Sequence, residues 1–498
     1  MQKVKLIFFF LYLLPLAGMA QGNRFFRYNC LGNSIADTSV TRASSTSRRL
    51  LPTPRTDWQQ GRIYRVPFIL MEFSDRQFSM ENPREFYDRL FNEPGFNLGH
   101  GRGCVADYFR EQSGGLLNLK FDVVGPIRVD SSLYKSGRNQ FREAARKADS
   151  VLNYADYDWY GDGSVPQLGF IYAGYGGNEN DAKSDGCIWP FTDYINIYVD
   201  GVIINNMTCS AELWATDELC GIGTICHEFS HCLGIPDLYP VSSEEFSVLD
   251  EWDLMDGGNY IDNGWCPPNY SVHEKELLGW YKAKELAATQ TVSGLLPLAS
   301  GGQAYRITNT GKSDEYYLLE NRQQQGWDYF LPGHGLTIIH VDYRRYEWER
   351  NIVNDTPNHH RLDFFHASGQ NYNYCEIING RDCYIDGRNL NLKDSAYPFI
   401  SDTLVANELT DTSVPVAATL FNKNAKGKQF MEKPIKNIQE SANGLISFMF
   451  YENVEAGIRV FPDNRKTPEQ MYNLHGQRLQ APSRHGLYIV NGRKYVAR

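Results

Sequence analysis

The sequence predicts a multidomain α+β protein, with a mixed α/β domain, an all-β, sandwich-like domain behind it, and a short β tail. Three observations carry that expectation. The chain has 498 residues, 42% of them hydrophobic, too long for one compact core and apolar enough to build two or three. From residue 63 to about 285, strand-like apolar runs alternate with amphipathic helical spacing. Beyond that point the texture changes to short β-type runs separated by turn residues.

The first stretch, MQKVKLIFFFLYLLPLAGMAQG, places Lys3 and Lys5 ahead of a short apolar run that ends in Gly18 and Ala20. This is the pattern of a cleavable signal peptide over residues 1–20, cut after Ala20. The expected location is therefore secreted or cell-surface, with no transmembrane segment in the mature chain. Residues 21–62 include SSTSRRLLPTPR and lack periodicity, as a flexible pro-segment or linker does, with Arg48 and Arg49 as the expected processing point. RVPFILMEF then reads as a strand, PREFYDRLFN and GCVADYFREQ as helices, and LLNLKFDVVGPIRV as a strand pair. FREAARKADSVLNY follows as an amphipathic helix and LGFIYAGYG as a buried strand. The β region, residues 286–452, takes its strands from AYRITN, EYYLLEN, GLTIIHVDY and GLISFMFYE, and the tail, 453–498, adds two more strand signals and a basic end.

The net charge of −10 is spread thinly, with no long run of Lys or Arg, which argues against nucleic acid as a partner. Ten cysteines, at 30, 104, 187, 209, 220, 226, 232, 266, 375 and 383, contain no C-x-x-C pair. They do not read as a zinc ribbon. In an exported chain some are expected to pair as disulfides, Cys375 with Cys383 being the local candidate.

The chemistry concentrates in GTICHEFSHCLGIPDLYP, residues 223–240. Residues four apart on a helix sit one turn above each other, so His227 and His231 can offer ring nitrogens to one ion, with Glu228 on the neighbouring stripe. Ile222, Ile225, Phe229 and Leu233 supply the apolar faces of a core helix whose polar edge meets a cleft. Catalytic zinc takes three protein ligands and leaves a fourth position for water. Gly234 can end the helix in the left-handed conformation and Pro236 discourages its continuation, which delivers Asp237 as the expected third ligand. Glu274 or Glu276, in SVHEKELLGW, is the competing source.

HEFSHCLGIPD resembles the extended zinc-binding motif of the metzincin-like peptidases, in the version where aspartate replaces the third histidine. WDLMDGGNY, residues 252–260, looks like the methionine turn of that clan. With IWPF before the motif and PPNYSVHEKELLGW after it, the pattern is similar to the M6, or immune inhibitor A-like, family of secreted metallopeptidases. The resemblance runs from RVPFILMEFSD to about residue 452 and includes YLLENRQQQGWDYFLPGHGLTIIHVD. It implies a metzincin-like catalytic domain over 63–285 and a β-rich domain over 286–452, made as a zymogen. It also implies zinc on His227, His231 and Asp237, Glu228 as general base, and Met255 as an apolar floor under the metal. Substrates would be proteins or peptides, lying extended in the cleft along a sheet edge. The tail from MYNLHGQRL onward is similar to sorting domains of the type IX secretion system, which implies secretion machinery as a partner.

A second candidate site is YADYDWYGDGSVPQ, residues 154–167. Asp156, Asp158 and Asp162 stand at the first, third and seventh places of a calcium-type loop with Gly161 at the turn, while Tyr160 and Gln167 depart from the pattern. His334 and His340 read as buried, hydrogen-bonded structural residues. Glu212 and Tyr260 are placed near the cleft without an assigned role. Cys30 is read as a disulfide partner first and as a thiolate cap on zinc second. Two functions compete with a peptidase: a surface adhesin or glycan-binding protein with a structural metal site, and an autoprocessing factor. Glu228 counts against the adhesin, because a structural site has no use for a general base.

Overall fold

The computed structural model describes residues 50–452 except 135–136, 180, 242–246 and the parts of 370–391 outside the strands Glu376–Ile378 and Arg381–Ile385. It also describes the strands Phe25–Phe26, Met471–Tyr472, Arg478–Leu479, Gly486–Val490 and Arg493–Ala497. The signal peptide, Cys30, Arg48, Arg49, Cys375 and the Cys383 side chain lie outside the described residues.

The first half is an α/β layer structure. Its strands are β1 (Ile63–Glu72), β2 (Asn118–Arg128), β3 (Ser164–Val165), β4 (Leu168–Tyr175), β5 (Phe191–Val199) and β6 (Val202–Leu213). They form one six-stranded sheet in the order β2-β1-β4-β6-β5, with β3 beside the start of β6. All pairings are parallel except β5 with β6, so the outer strand β5 runs against the rest. The β5–β6 connection is Asp200–Gly201, with φ of +50° and +78°, the two left-handed positions that a tight hairpin needs.

Alternate residues of β1 feed two cores, because its side chains point to opposite faces. Val66, Phe68 and Leu70 pack with Leu90 and Phe91 of helix α1 (Pro83–Asn92) and with Phe109 of α2 (Val105–Gln112). Ile69 and Met71 pack with Phe141 and Ala144 of α3 (Asn139–Ala148). LLNLKFDVVGPIRV, expected as a strand pair, is a single strand. Its register against β1 shifts where Val124 faces Ile69 and Ile127 faces Met71. Gly125, with φ of +105° at that point, lets the strand bulge past Leu70, whose carbonyl oxygen would lie 2.6 Å from an added Cβ.

Two more helices, α4 (Gly223–Cys232) and α5 (Val272–Leu277), precede the β region. There β7 (Lys284–Glu285), β9 (Tyr305–Thr308), β10 (Glu315–Arg322), β11 (Gly335–Asp342) and β12 (Leu362–Phe364) form a five-stranded sheet in the order β12-β11-β10-β9-β7. The strands β8 (Gln290–Leu295), β13 (Ile435–Glu440) and β14 (Ile446–Phe450) form a three-stranded antiparallel sheet. Strand β10 is buried at every position, and the two faces of its sheet serve different cores. Tyr317, Leu319, Leu336 and Ile338 pack with Ile435 and Phe448 of the smaller sheet. Tyr316, Leu318, Ile339 and Val341 join the core that holds Phe229, Trp252 and Met255.

Residues 50–62 carry no regular element, yet they form a strap that touches both the first half and the β region. The Leu51 N–H donates to the Glu349 carbonyl at 2.8 Å. The Trp58 indole donates to the Leu278 carbonyl at 2.7 Å, and the Arg55 guanidinium stacks 3.5 Å over Tyr160. Among the described residues, no helix is long and apolar enough to cross a membrane. Among the described residues, no disulfide joins Cys104, Cys187, Cys209, Cys220, Cys226, Cys232 and Cys266 to one another. The disulfides expected from export are therefore absent among these positions, most of which are buried in the cores.

Candidate metal centre

Helix α4 is buried along its whole length. Its polar edge, expected to open on a cleft, is enclosed as well: His227, Glu228, His231 and Asp237 are each about 1% exposed or less. The helix ends as the sequence suggests. The Ile235 N–H reaches back to the Ser230 carbonyl at 3.1 Å around Gly234, whose φ is +95°. An added Cβ at Gly234 would also lie 2.4 Å from the Pro52 carbonyl of the strap. Both the backbone angle and the close approach require glycine.

The chain then turns under the helix and brings Asp237 to the two histidines. Its Oδ1 lies 3.2 Å from His227 Nε2 and 3.3 Å from His231 Nε2. Each ring is fixed from its other nitrogen: Nδ1 of His227 is 2.8 Å from the Leu254 carbonyl, and Nδ1 of His231 is 2.8 Å from the Ile235 carbonyl. A carbonyl only accepts, so Nδ1 donates to it and Nε2 of each ring is turned toward Asp237, where it can carry a proton or, deprotonated, offer its lone pair to a metal ion. These three residues are the only group of its kind among the described residues, with ligand atoms within 4.8 Å of one another.

The turn at 252–260 supports the group from below. The Leu238 N–H donates to the Met255 carbonyl at 2.8 Å, and the Met255 N–H donates to Asp253 Oδ1 at 2.8 Å. Met255 is fully buried. Asp256 accepts from the Ser247 hydroxyl and from the N–H groups of Val248 and Leu249. Asp237 has a further partner from far along the chain: Asn351 accepts its N–H and donates to its Oδ2. Glu228 faces the outer strand, where the Thr192 hydroxyl meets its Oε2 at 2.9 Å.

Burial alone would push the Asp237 carboxyl up; the two imidazoles facing it outweigh that and hold it well below the usual carboxylate range. Burial also opposes charge on His227, but its hydrogen bond to Asp237 carries it up to about 9. Burial pushes His231 down. A buried carboxylate against two buried imidazoles is a pocket for positive charge, which a proton or a metal ion can supply.

The other candidates are not gathered there. Glu274 caps α5 through the Ser271 N–H and hydroxyl, and Glu276 takes Arg306 at 3.0 Å. Asp156, Asp158 and Asp162 do not converge. Asp158 accepts four backbone N–H groups, from Tyr160 to Gly163, while Asp162 accepts from Ser164 and Asp156 from Asn153 and Arg65. His340 is buried between Phe365 and Phe421 and bonded to Glu315, whereas His334 is half exposed, with Glu440 as partner. Glu212 is fully buried and bound by Ser79 and Gly174, and Tyr260 lies 3.4 Å from Asn178.

Compared with known proteins, the chain is 21% identical over 283 residues to the Pre-pro-metalloprotease PrtV of Vibrio cholerae serotype O1, strains M66-2 and ATCC 39315. The likeness is to a metalloprotease. It is also 23% identical over 268 residues to Immune inhibitor A of Bacillus thuringiensis subsp. alesti. The matches cover 49% and 43% of this chain but only 30% and 39% of those proteins. No family model matches the chain. Together with the buried His-His-Asp group, this distant similarity supports a metal-dependent peptidase in general terms.

The donor set fits zinc. Bonds of about 2.0–2.1 Å at a tetrahedral centre place neighbouring ligand atoms about 3.3 Å apart, and the two Nε2–Oδ1 separations are 3.2 and 3.3 Å. Thr192 and Asn351 are the site residues that sequence reasoning missed. The Asp200–Gly201 turn signals the hairpin that carries Thr192, but no local pattern points to Asn351.

Proposed function

We propose that the protein is an exported zinc-dependent endopeptidase of the M6 type, with His227, His231 and Asp237 holding Zn2+. The observation that carries this reading is the Nε2–Oδ1–Nε2 arrangement, a buried donor set at tetrahedral spacing, with Glu228 on the next position of the same helix as His227. When bound, zinc supplies a water of lowered pKa and polarises the scissile carbonyl. Glu228 takes the proton of the attacking water and passes it to the leaving amine. The His227 and His231 rings stay oriented by their carbonyl partners throughout. Substrate lies extended along the outer strand β5, adding a strand to the sheet, so that backbone pairing sets affinity. Residues 63–285 form the catalytic domain and 286–452 its β-rich companion; the signal segment 1–20 and the tail 453–498 serve export.

The test is zinc content and casein hydrolysis of the processed protein and its Glu228→Ala variant, with and without a chelator. One zinc in both, with hydrolysis only in the chelator-free wild type, is expected. Zinc in both without hydrolysis by the wild type would favour a structural metal in an adhesin.

A further inference from the structure

Asp237 uses its two carboxylate oxygens differently: Oδ1 faces both histidines, while Oδ2 receives the amide of Asn351. We infer that Asn351, supplied by the β region 114 residues downstream, is the positioning residue that presents Asp237 to the metal through a single oxygen. The inference rests on the zinc reading above.

The orientation of the Asn351 amide follows from its partners. The Asp237 backbone N–H can only donate, so Asn351 Oδ1 faces it and Nδ2 is left for the carboxylate. The two bonds close a ring around the ligand and fix both its backbone and its head group. Both residues are buried, so no solvent competes for either bond. Asn351 follows helix α6 (Arg345–Glu349) and has a φ of +56°, a left-handed position that asparagine tolerates and most residues do not. The Asn351 N–H donates to the Trp348 carbonyl at 3.1 Å, which closes this turn.

Asn351 is also the first member of a clamp. The Asn354 amide donates to the Leu238 carbonyl at 2.7 Å, and Asp355 accepts the Val241 N–H at 2.7 Å. Residues 351–355 thus read residues 237–241 nearly in register. Asn351 is the member that bonds a ligand directly. The others hold the segment that bears it, and Leu238 is fixed from its other side by Met255.

A partner of this kind sets the direction of the ligand's lone pair, and its loss typically weakens metal binding by about 10–100-fold. The experiment measures zinc affinity of the full chain by competition with a chromophoric chelator, beside thermal unfolding. Asn351→Gly keeps the backbone angle and removes both bonds. Asn351→Asp keeps the shape and sets a carboxylate oxygen against Asp237 Oδ2. Asp355→Ala cuts the clamp at the end away from the metal. We expect zinc binding to weaken by about 10–100-fold in Asn351→Gly and by more in Asn351→Asp, and to hold in Asp355→Ala despite a lower melting temperature. Wild-type zinc affinity in Asn351→Gly, or equal losses in Asn351→Gly and Asp355→Ala, would overturn the inference. If Asn351→Gly does not fold, Asn351→Asp carries the same test. A wild type without one zinc, or a zinc-replete Asp237→Ala, would overturn the metal assignment itself.

Discussion

The Thr192 hydroxyl stands 2.8 Å from the backbone carbonyl of Glu228 and 2.9 Å from its Oε2, so the outer strand β5 and helix α4 meet through one shared proton. That contact orients the Glu228 carboxylate from the β5 side. Thr192→Val keeps the shape and removes the donor. We expect kcat for casein to fall about tenfold, a loss near 1.4 kcal/mol that matches one buried hydrogen bond, with zinc content unchanged. Thr192→Ser should restore most of the rate. An unaltered kcat in the valine variant would show that Glu228 needs no such support.

Gly234 has no room for a side chain. In Gly234→Ala the new Cβ meets the Pro52 carbonyl at a φ of +95°, so either the strap or the end of α4 must move. A loss of about 2 kcal/mol or more in urea unfolding is expected. Zinc affinity should fall with it, because Asp237 hangs from the same turn.

Arg322 and Asp328 form a buried pair, joined at 2.8 and 2.7 Å. Asn269 ties it to the segment before α5: its carbonyl accepts from Arg322 and its N–H donates to Asp328. Removing one partner leaves an unpaired charge in the core. Arg322→Met should therefore cost about 3–5 kcal/mol by chemical denaturation.

Asp342 predicts how stability responds to acid. Burial would raise its carboxyl, but Lys312, His359 and Arg361 outweigh that and depress it. A carboxyl depressed in the folded state stabilises above its unfolded pKa, and that stabilisation is lost as pH falls through the folded value. Asp342→Asn should lower the melting temperature at neutral pH and flatten its decline in acid. Melting curves from about pH 7 to about pH 3 would show a slope equal to wild type if Asp342 contributes nothing.

What was legible in the sequence was local. His227 and His231 are one helical turn apart, and the glycine that ends their helix has a conformational reason to be there; both can be read without any partner. The calcium-like spacing at 156–162 was equally visible, but spacing does not say what fills a carboxylate, and Asp158 is occupied by backbone N–H groups of its own turn. EYYLLEN announced a strand, but could not announce that β10 is buried at every position or that the two faces of its sheet serve different cores. Thr192 and Asn351 act across strand and domain distances, and no periodicity encodes such contacts. GPIR in β2 looked like a turn because Gly-Pro usually marks one, whereas here it bends a continuing strand.

The partition of one site between distant stretches of chain has a consequence for synthesis. The paired histidines leave the ribosome more than 100 residues before Asn351 and the sheet face that closes over Trp252 and Met255. A nascent chain at that stage holds the motif without the partners that shape it. Newly made protein would therefore acquire the complete centre, with Asp237 held by Asn351, only once the downstream strands have folded.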